Sequence, residues 1–296
     1  MLTALLLAAA PAAEFDLYLL AGQSNMEGYG TVAELPEDLR GPVEGAWIYQ
    51  GNLAEDGQPP AKPSAWTPLK PGHGTGYWNA GGTENLSQRF GPELTFARRM
   101  RELRPGRRVA VVKYAKGGSS VAEEVAGRFG SWDPDYRGGE GEGRGVNQYD
   151  QCLAAVAAAT AVRDIDGDGE ADTLVPRGIV WMQGETDSMT EPTATAYAEN
   201  LHELVELLRA SLRKDDLPVV IGRISDSGRD EDGVVWTFGD ILREEQRTFV
   251  NRDPAARIVV STDEYGYSDP WHYDTAGYVD LGRRFAEGMD SLLPAE

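Results

Sequence analysis

Short runs of apolar, β-branched and aromatic residues recur along the chain at Phe15 to Ala21, Arg108 to Ala115, Gly178 to Met182, Pro218 to Ile224 and Arg257 to Ser261. Runs of this length, bounded by turn residues, read as buried strands. Between them, ELTFARRMREL, QYDQCLAAVAAATAV, the segment from Thr193 to Leu212 and GDILREEQRTFV repeat their apolar residues near the helical period, and Thr275 to Leu293 does so at the end. Strands that alternate with helices predict an α/β fold: a parallel sheet, helices on both faces, right-handed crossovers, and loops gathered at the strands' C-terminal edge.

Ligands of open α/β sheets bind at that edge, so the polar residues just after each strand carry the functional question. They are Gln23-Ser24-Asn25, Lys116-Gly117-Gly118-Ser119, Gln183-Gly184-Glu185, and Asp269 to His272 a little beyond the last strand. The Gly/Pro-rich stretch from Thr31 to Gly91 and the Gly/Glu-rich one from Gly127 to Gly145 read as loops over the same edge.

With 296 residues and 41% apolar content, residues 14–296 suffice for one domain with a single core. A net charge of −20, from 48 acidic against 28 basic side chains, repels phosphate backbones and anionic lipid heads and argues against both as partners. Residues 1–13, MLTALLLAAAPAA, pair an apolar run with small residues as a secretory signal does, though no Lys or Arg precedes the run. The expected location is therefore secreted or periplasmic. Cys152, the single cysteine, excludes an internal disulfide and a thiolate metal cluster, and its small-residue helical setting suits a modest hydrophobe.

A hydroxyl nucleophile needs a base, and near neutral pH that base is ordinarily histidine. Of the three histidines, His202 lies off the Leu201, Leu204, Val205, Leu208 stripe and reads as solvated. His73 lies in a loop, PGHGTG, where a substrate contact is conceivable. His272, in DPWHYD, follows Asp269 by three residues and precedes a helix that Asp274 or Thr275 can cap. A carboxylate so placed either orients Nδ1 of the imidazole or merely shapes an Asp-Pro turn. Ser24, after the Gly22 turn in LLAGQSNMEGYG, is either a nucleophile beside the free amides of a helix start or a helix cap. Gly117 and Gly118 can bring amides close to a substrate oxygen, and Gln183 can donate to it without a charge change. Glu185 and Asp187 share one loop, a poor arrangement for straddling a glycosidic bond.

GQSNM, KYAKGGSS, WMQGETD and DPWHYDTAGYVDLGRRFA, in this order from Phe15 to Phe285, resemble the SGNH hydrolase superfamily and, within it, the carbohydrate acetylesterases that include sialate O-acetylesterases and acetyl xylan esterases. The resemblance implies a flavodoxin-like three-layer αβα sandwich with a five-stranded parallel sheet. It implies Ser24 as nucleophile, with Asp269 and His272 completing a triad. The oxyanion donors would be the Ser24 amide, the amide of Gly117 or Gly118, and Gln183; Glu185 would support the site. The implied substrate is an acetylated carbohydrate, hydrolysed through an acetyl-enzyme without a metal or other cofactor. The competing readings are an esterase or acyltransferase of non-sugar acyl esters, and a secreted carbohydrate-binding protein without catalysis, which has no need of Ser24, Asp269 and His272 together.

Separately, RDIDGDGEADTL places Asp164, Asp166, Asp168 and Asp172 at positions 1, 3, 5 and 9 of an EF-hand-like loop, with Gly169 at the sixth. The loop resembles the calcium loops of dockerins and thrombospondin-type repeats, but Val175 stands at the twelfth position, where an EF-hand has a bidentate Glu. The segment reads either as a structural Ca²⁺ loop or as a solvated acidic turn. Among the loop aromatics Trp47, Tyr49, Trp66, Tyr77, Trp78, Trp132, Tyr136, Trp236 and Trp271, any that prove exposed would suit stacking on sugar rings.

Overall fold

The computed structural model describes residues 13–52, 63–138 and 146–295, so the signal-like segment lies almost wholly outside the described residues. Seven strands form one sheet: β1 (Glu14–Gly22), β2 (Ala46–Gln50), β3 (Trp66–Pro68), β4 (Arg108–Ala115), β5 (Thr173–Met182), β6 (Val219–Gly222) and β7 (Ala256–Val259), in the order β7-β6-β5-β1-β4-β2-β3. The five expected strands pair in parallel, and in chain order they run second, first, third, fourth, fifth, as in flavodoxin-like sheets.

Two further strands, β2 and β3, come from the segment read as loop. β2 joins β4 in parallel and β3 turns back antiparallel at the margin. Their signal is short, and Pro68 is tolerated because the outer side of an edge strand needs no N–H donor. β5 begins five residues earlier than Gly178, at Thr173, with a register shift opposite Leu17 and Tyr18, next to Pro176 and Arg177. Those two residues break the apolar run that marks a strand in sequence.

The helices are α1 (Ser24–Glu27), α2 (Glu93–Leu103), α3 (Gln148–Ala161), α4 (Glu191–Ser211), α5 (Gly239–Arg252) and α6 (Thr275–Asp290). Alternation along β1 separates the two helical layers. The ring of Tyr18 meets Phe96 of α2 edge-on at 5.2 Å, whereas its neighbour Leu17 borders a cavity with Leu153 and Val156 of α3. α2 packs on α6, and α4 on both α3 and α5. The side chains of Asn147, Thr190 and Asp274 accept from the first-turn amides of α3, α4 and α6. Cys152 is fully buried on α3, where burial pushes its thiol up to about 12 and leaves it unreactive.

β1 lies between β4 and β5, so the chain leaves its C-terminal end where the strand order reverses. Gly22 makes that exit possible: at φ +144° its amide plane passes so close to β5 that a Cβ would stand 2.1 Å from the Met182 carbonyl oxygen.

Candidate active site

Gln23 follows with its N–H bonded to Met182 O at 2.9 Å, and α1 begins at Ser24. As the first residue of a helix, Ser24 has an amide with no acceptor inside that helix. The Ser24 residue is 6% exposed. Asn25 ties this turn to the loop before α6: its Nδ2 donates to the Trp271 carbonyl at 3.2 Å and its Oδ1 accepts from the Tyr273 amide at 3.5 Å and the Tyr278 hydroxyl at 2.7 Å. Trp271 and Tyr273 flank His272, so one side chain holds His272 against the residue next to Ser24. Among the described residues no hydrogen bond joins Ser24 Oγ to His272 Nε2, a contact that in such sites commonly tightens only as substrate binds.

Asp269 does both things its position allowed. Oδ1 accepts from the Trp271 and His272 amides, each at 2.8 Å, which makes the turn, while Oδ2 lies 2.7 Å from His272 Nδ1. Partial burial works to raise the Asp269 carboxyl, but the bonds from His272 and the two amides hold it below the usual range. An ionised acceptor at Nδ1 fixes the proton there and leaves Nε2 as the basic nitrogen. One face of the imidazole is covered by Tyr29, stacked at 3.6 Å between centroids and 3° between planes.

The glycine loop after β4 runs along Ser24: a Cβ on Gly117 would stand 3.2 Å from Ser24 Cβ. The two glycines differ in what their amides can do. Gly117 N–H donates to Glu27 Oε2 at 2.9 Å, whereas Gly118, at φ +74°, turns the chain against Phe129 and is the loop's remaining candidate oxyanion donor.

Gln183 departs from the expected oxyanion role. It is fully buried, both hydrogens of its Nε2 are taken, by Asp187 Oδ2 at 2.6 Å and the Ser119 carbonyl at 3.2 Å, and Oε1 accepts from Tyr197 OH at 3.0 Å. An amide so engaged has no donor left for a substrate oxygen. It instead anchors the glycine loop from behind, together with Asp187, which accepts from the Val121 and Ala122 amides at distances from 2.8 to 3.1 Å. Burial pushes Asp187 up to about 6 against those bonds, which favour its ionised form.

Glu185 is buried and accepts from Asn25 Nδ2 at 2.8 Å through Oε1, while Oε2 has no partner. Burial, with the nearby Asp187 charge adding to it, pushes the carboxyl up to about 7. Glu27, Tyr29 and Asp187 were not assigned site roles from sequence. Nearness to Ser24 in the chain is the sequence signal for Glu27 and Tyr29, while stacking on His272 and anchoring of the loop at residues 119–122 arise from contacts distant in the chain.

The other histidines lie apart from the triad. His202 is exposed on α4. His73 lies in a loop but is fully buried, with Nδ1 3.1 Å from Gln50 Oε1, and burial together with the Lys113 and Lys70 charges pushes it down to about 3, so it is neutral. At the opposite end of the sheet, oxygens of Asp164, Asp166 and Asp172 lie within 4.8 Å of one another, and Asp172 Oδ1 is buried without a partner. Asp168 stands outside that group, accepting from Glu170 N at 2.9 Å, and Asp166 is ion-paired with Arg108. Three of the four expected carboxylates thus converge. Of the loop aromatics, Trp132 is fully buried against Trp181, while Trp78 and Trp271 are 42% and 50% exposed.

The family described as carbohydrate esterase, sialic acid-specific acetylesterase, matches residues 14–291. No curated protein matches the chain. Similar solved structures include a protein from Arabidopsis thaliana, with TM-score 0.61 and 19% identity, covering 95% of this chain and 99% of that one. XAC1771, a carbohydrate acetylesterase from Xanthomonas citri, has TM-score 0.62 and 20% identity over 92% of this chain, which spans 54% of that longer one. NanS has TM-score 0.58 and 17% identity over 95% and 98%. At these identities the likeness is one of fold.

Proposed function

The chain belongs to the sialic acid-specific acetylesterase family of carbohydrate esterases and is a carboxylic ester hydrolase of O-acetylated carbohydrates; we propose that it works through an acetyl-enzyme on Ser24, with His272 as base and Asp269 as the group that orients it. The observation that supports this mechanism is the 2.7 Å Asp269–His272 contact, held beside Ser24 by the Asn25 side chain.

Ser24 Oγ attacks the acetyl carbonyl carbon as His272 Nε2 takes the hydroxyl proton. The oxyanion meets the Ser24 and Gly118 amides, preset donors that need no reorganisation. Collapse breaks the bond to the sugar oxygen, which leaves with the proton from His272. Water, deprotonated by the same nitrogen, then attacks acetyl-Ser24 and releases acetate. Every step uses this chain's own residues.

Acetate release from an aryl acetate and from acetylated xylan, compared between the protein and Ser24→Ala, tests the mechanism. Loss of release in the variant by about three orders of magnitude or more is expected; equal release from both sinks it. Export of the enzyme is part of the same proposal, resting on the apolar leader, and N-terminal sequencing of protein recovered from the medium or periplasm checks it.

A further inference from the structure

A cavity of about 380 Å³ opens beside the nucleophile, within the ~300–1,000 Å³ of ordinary small-molecule sites. Glu27, Gln50, Asn52, Tyr77, Trp78 and Asn79 contribute its polar and aromatic lining. Its link to the chemistry is Glu27. The carboxylate of Glu27 and Cβ of Ser24 both stand against Gly117, with ideal Cβ distances of 3.1 and 3.2 Å, so the cavity begins one residue's width from the serine.

The walls are rigid. Asn52 accepts from the Asn79 amide at 3.1 Å and donates to the Asn79 carbonyl, acting as a strand partner to the short hairpin Trp78–Ala80 and Thr83–Asn85. The buried Asn79 side chain adds bonds to Tyr77 OH at 3.2 Å and from Gly82 N at 2.8 Å. Trp78 is therefore held on a fixed frame with 42% of its surface open. A large exposed aromatic kept in place against solvent suits stacking on an apolar ring face.

The charge around the cavity selects the ligand. Neither Lys nor Arg is among its described lining residues. Two lysines of this region are committed elsewhere: Lys113 Nζ, buried, donates to Glu93 Oε2 and the His73 carbonyl, both at 2.7 Å, and to the Glu27 carbonyl at 2.9 Å, while Lys70 pairs with Glu84 at 2.6 Å. Lys116 and Arg128 lie over the ring of Phe129 at 5.3 and 4.6 Å. Glu27 is the charged side chain among the described lining residues, so a carboxylate-bearing sugar seated here would meet like charge, whereas hydroxyl groups can donate to that carboxylate.

We infer that this cavity seats an uncharged O-acetylated sugar ring, with Trp78 as its stacking face and Glu27 as the hydroxyl acceptor that sets specificity. The inference rests on the serine esterase reading and names its preferred substrate, a neutral acetylated glycan in place of an O-acetylated sialic acid.

The test compares kcat/KM for acetylated xylo-oligosaccharides, an O-acetylated sialic acid and an aryl acetate in the full chain, W78A, W78F and E27Q, with folding checked by circular dichroism. The wild type is expected to favour the neutral glycan over the sialic acid at least tenfold. W78A should lower the ratio of glycan to aryl acetate kcat/KM about tenfold through KM, and W78F should restore most of it. E27Q should narrow the preference for the neutral sugar. Quenching of tryptophan fluorescence by deacetylated xylo-oligosaccharide in the wild type, lost in W78F, reports the contact even where a truncated variant folds poorly. An unchanged ratio in W78A, or a wild-type preference for the sialic acid, overturns the assignment; failure of the serine mechanism would show separately as aryl acetate hydrolysis that survives Ser24→Ala.

Discussion

Asn25 donates to Glu185 at 2.8 Å, and that bond joins the residue after the nucleophile to the loop after β5. Because the same Asn25 side chain also grips both neighbours of His272, the serine turn, the histidine loop and the β5 loop form one connected unit. Glu185 sits in it with one oxygen unpaired and its carboxyl raised from 4.5 to about 7 by burial.

A raised carboxyl gives a definite pH signature. The folded state holds its proton up to about 7, while the unfolded chain loses it near 4.5, so the folded state binds more protons in that window. Stability attributable to Glu185 is therefore full below about 4.5 and is lost as pH rises through 7. Glu185→Gln keeps an acceptor for Asn25 and removes the titration. Thermal melts from pH 4 to 8 should show the wild type losing stability relative to the variant, by roughly 3 kcal/mol at the upper end. Parallel pH curves for the two proteins would show that Glu185 ionises as it does in water.

Asp269→Asn separates the two jobs of that carboxylate. Asparagine can still accept from the Trp271 and His272 amides through Oδ1 and keep the turn, but its NH₂ would face Nδ1 where Oδ2 now accepts. The imidazole then favours the wrong tautomer, with its proton on Nε2. By analogy with other triads, kcat should fall about 10⁴-fold while Tm changes little. A kcat within tenfold of wild type would reduce Asp269 to a turn former.

Gln183→Ala distinguishes the two roles open to that residue. Lost direct donation to the oxyanion would cost about 10²–10³ in kcat with the fold intact. The observed geometry makes a different demand: Asp187, Ser119 and Tyr197 would each lose a buried partner, at about 1–3 kcal/mol for each group left unsatisfied. Loss of activity should therefore come with a clear drop in Tm and faster amide exchange at Val121 and Ala122. An unchanged Tm would return Gln183 to the oxyanion hole.

The contrast between Gln183 and Asp269 shows what the sequence could carry. Asp269 and His272 are three residues apart, so local spacing constrains their geometry before any fold is known. Strand placement likewise follows from apolar periodicity, which marks five of the strands but not β2 and β3, short segments that lie among glycines and prolines. Gln183 lies in a motif that marks the site, yet whether its amide faces substrate or the loop behind depends on Asp187, Ser119 and Tyr197, which converge only in three dimensions. The same holds for Tyr29 and Glu27: position near Ser24 was visible, but the ring stack on His272 and the bond to Gly117 were not.

The acidic loop offers a last discriminating measurement. Asp164, Asp166 and Asp172 bring oxygens within 4.8 Å of one another, and Asp172 Oδ1 is buried without a donor, a costly arrangement that a hard cation would relieve. Two features weaken such a site: the Asp166 pairing with Arg108 must be given up, and Asp168 points elsewhere. Affinity should accordingly fall near the 10⁻⁴–10⁻³ M range of weak modules, roughly, rather than that of sensors. Because the loop lies before β5, at the sheet end away from Ser24, added Ca²⁺ should raise Tm by mass action and leave kcat unchanged. Asp172→Asn should abolish the rise. If millimolar Ca²⁺ produces neither binding heat nor a shift in Tm, the segment is a solvated turn whose aspartates serve the backbone amides of Ile165, Gly167, Asp168, Gly169 and Glu170.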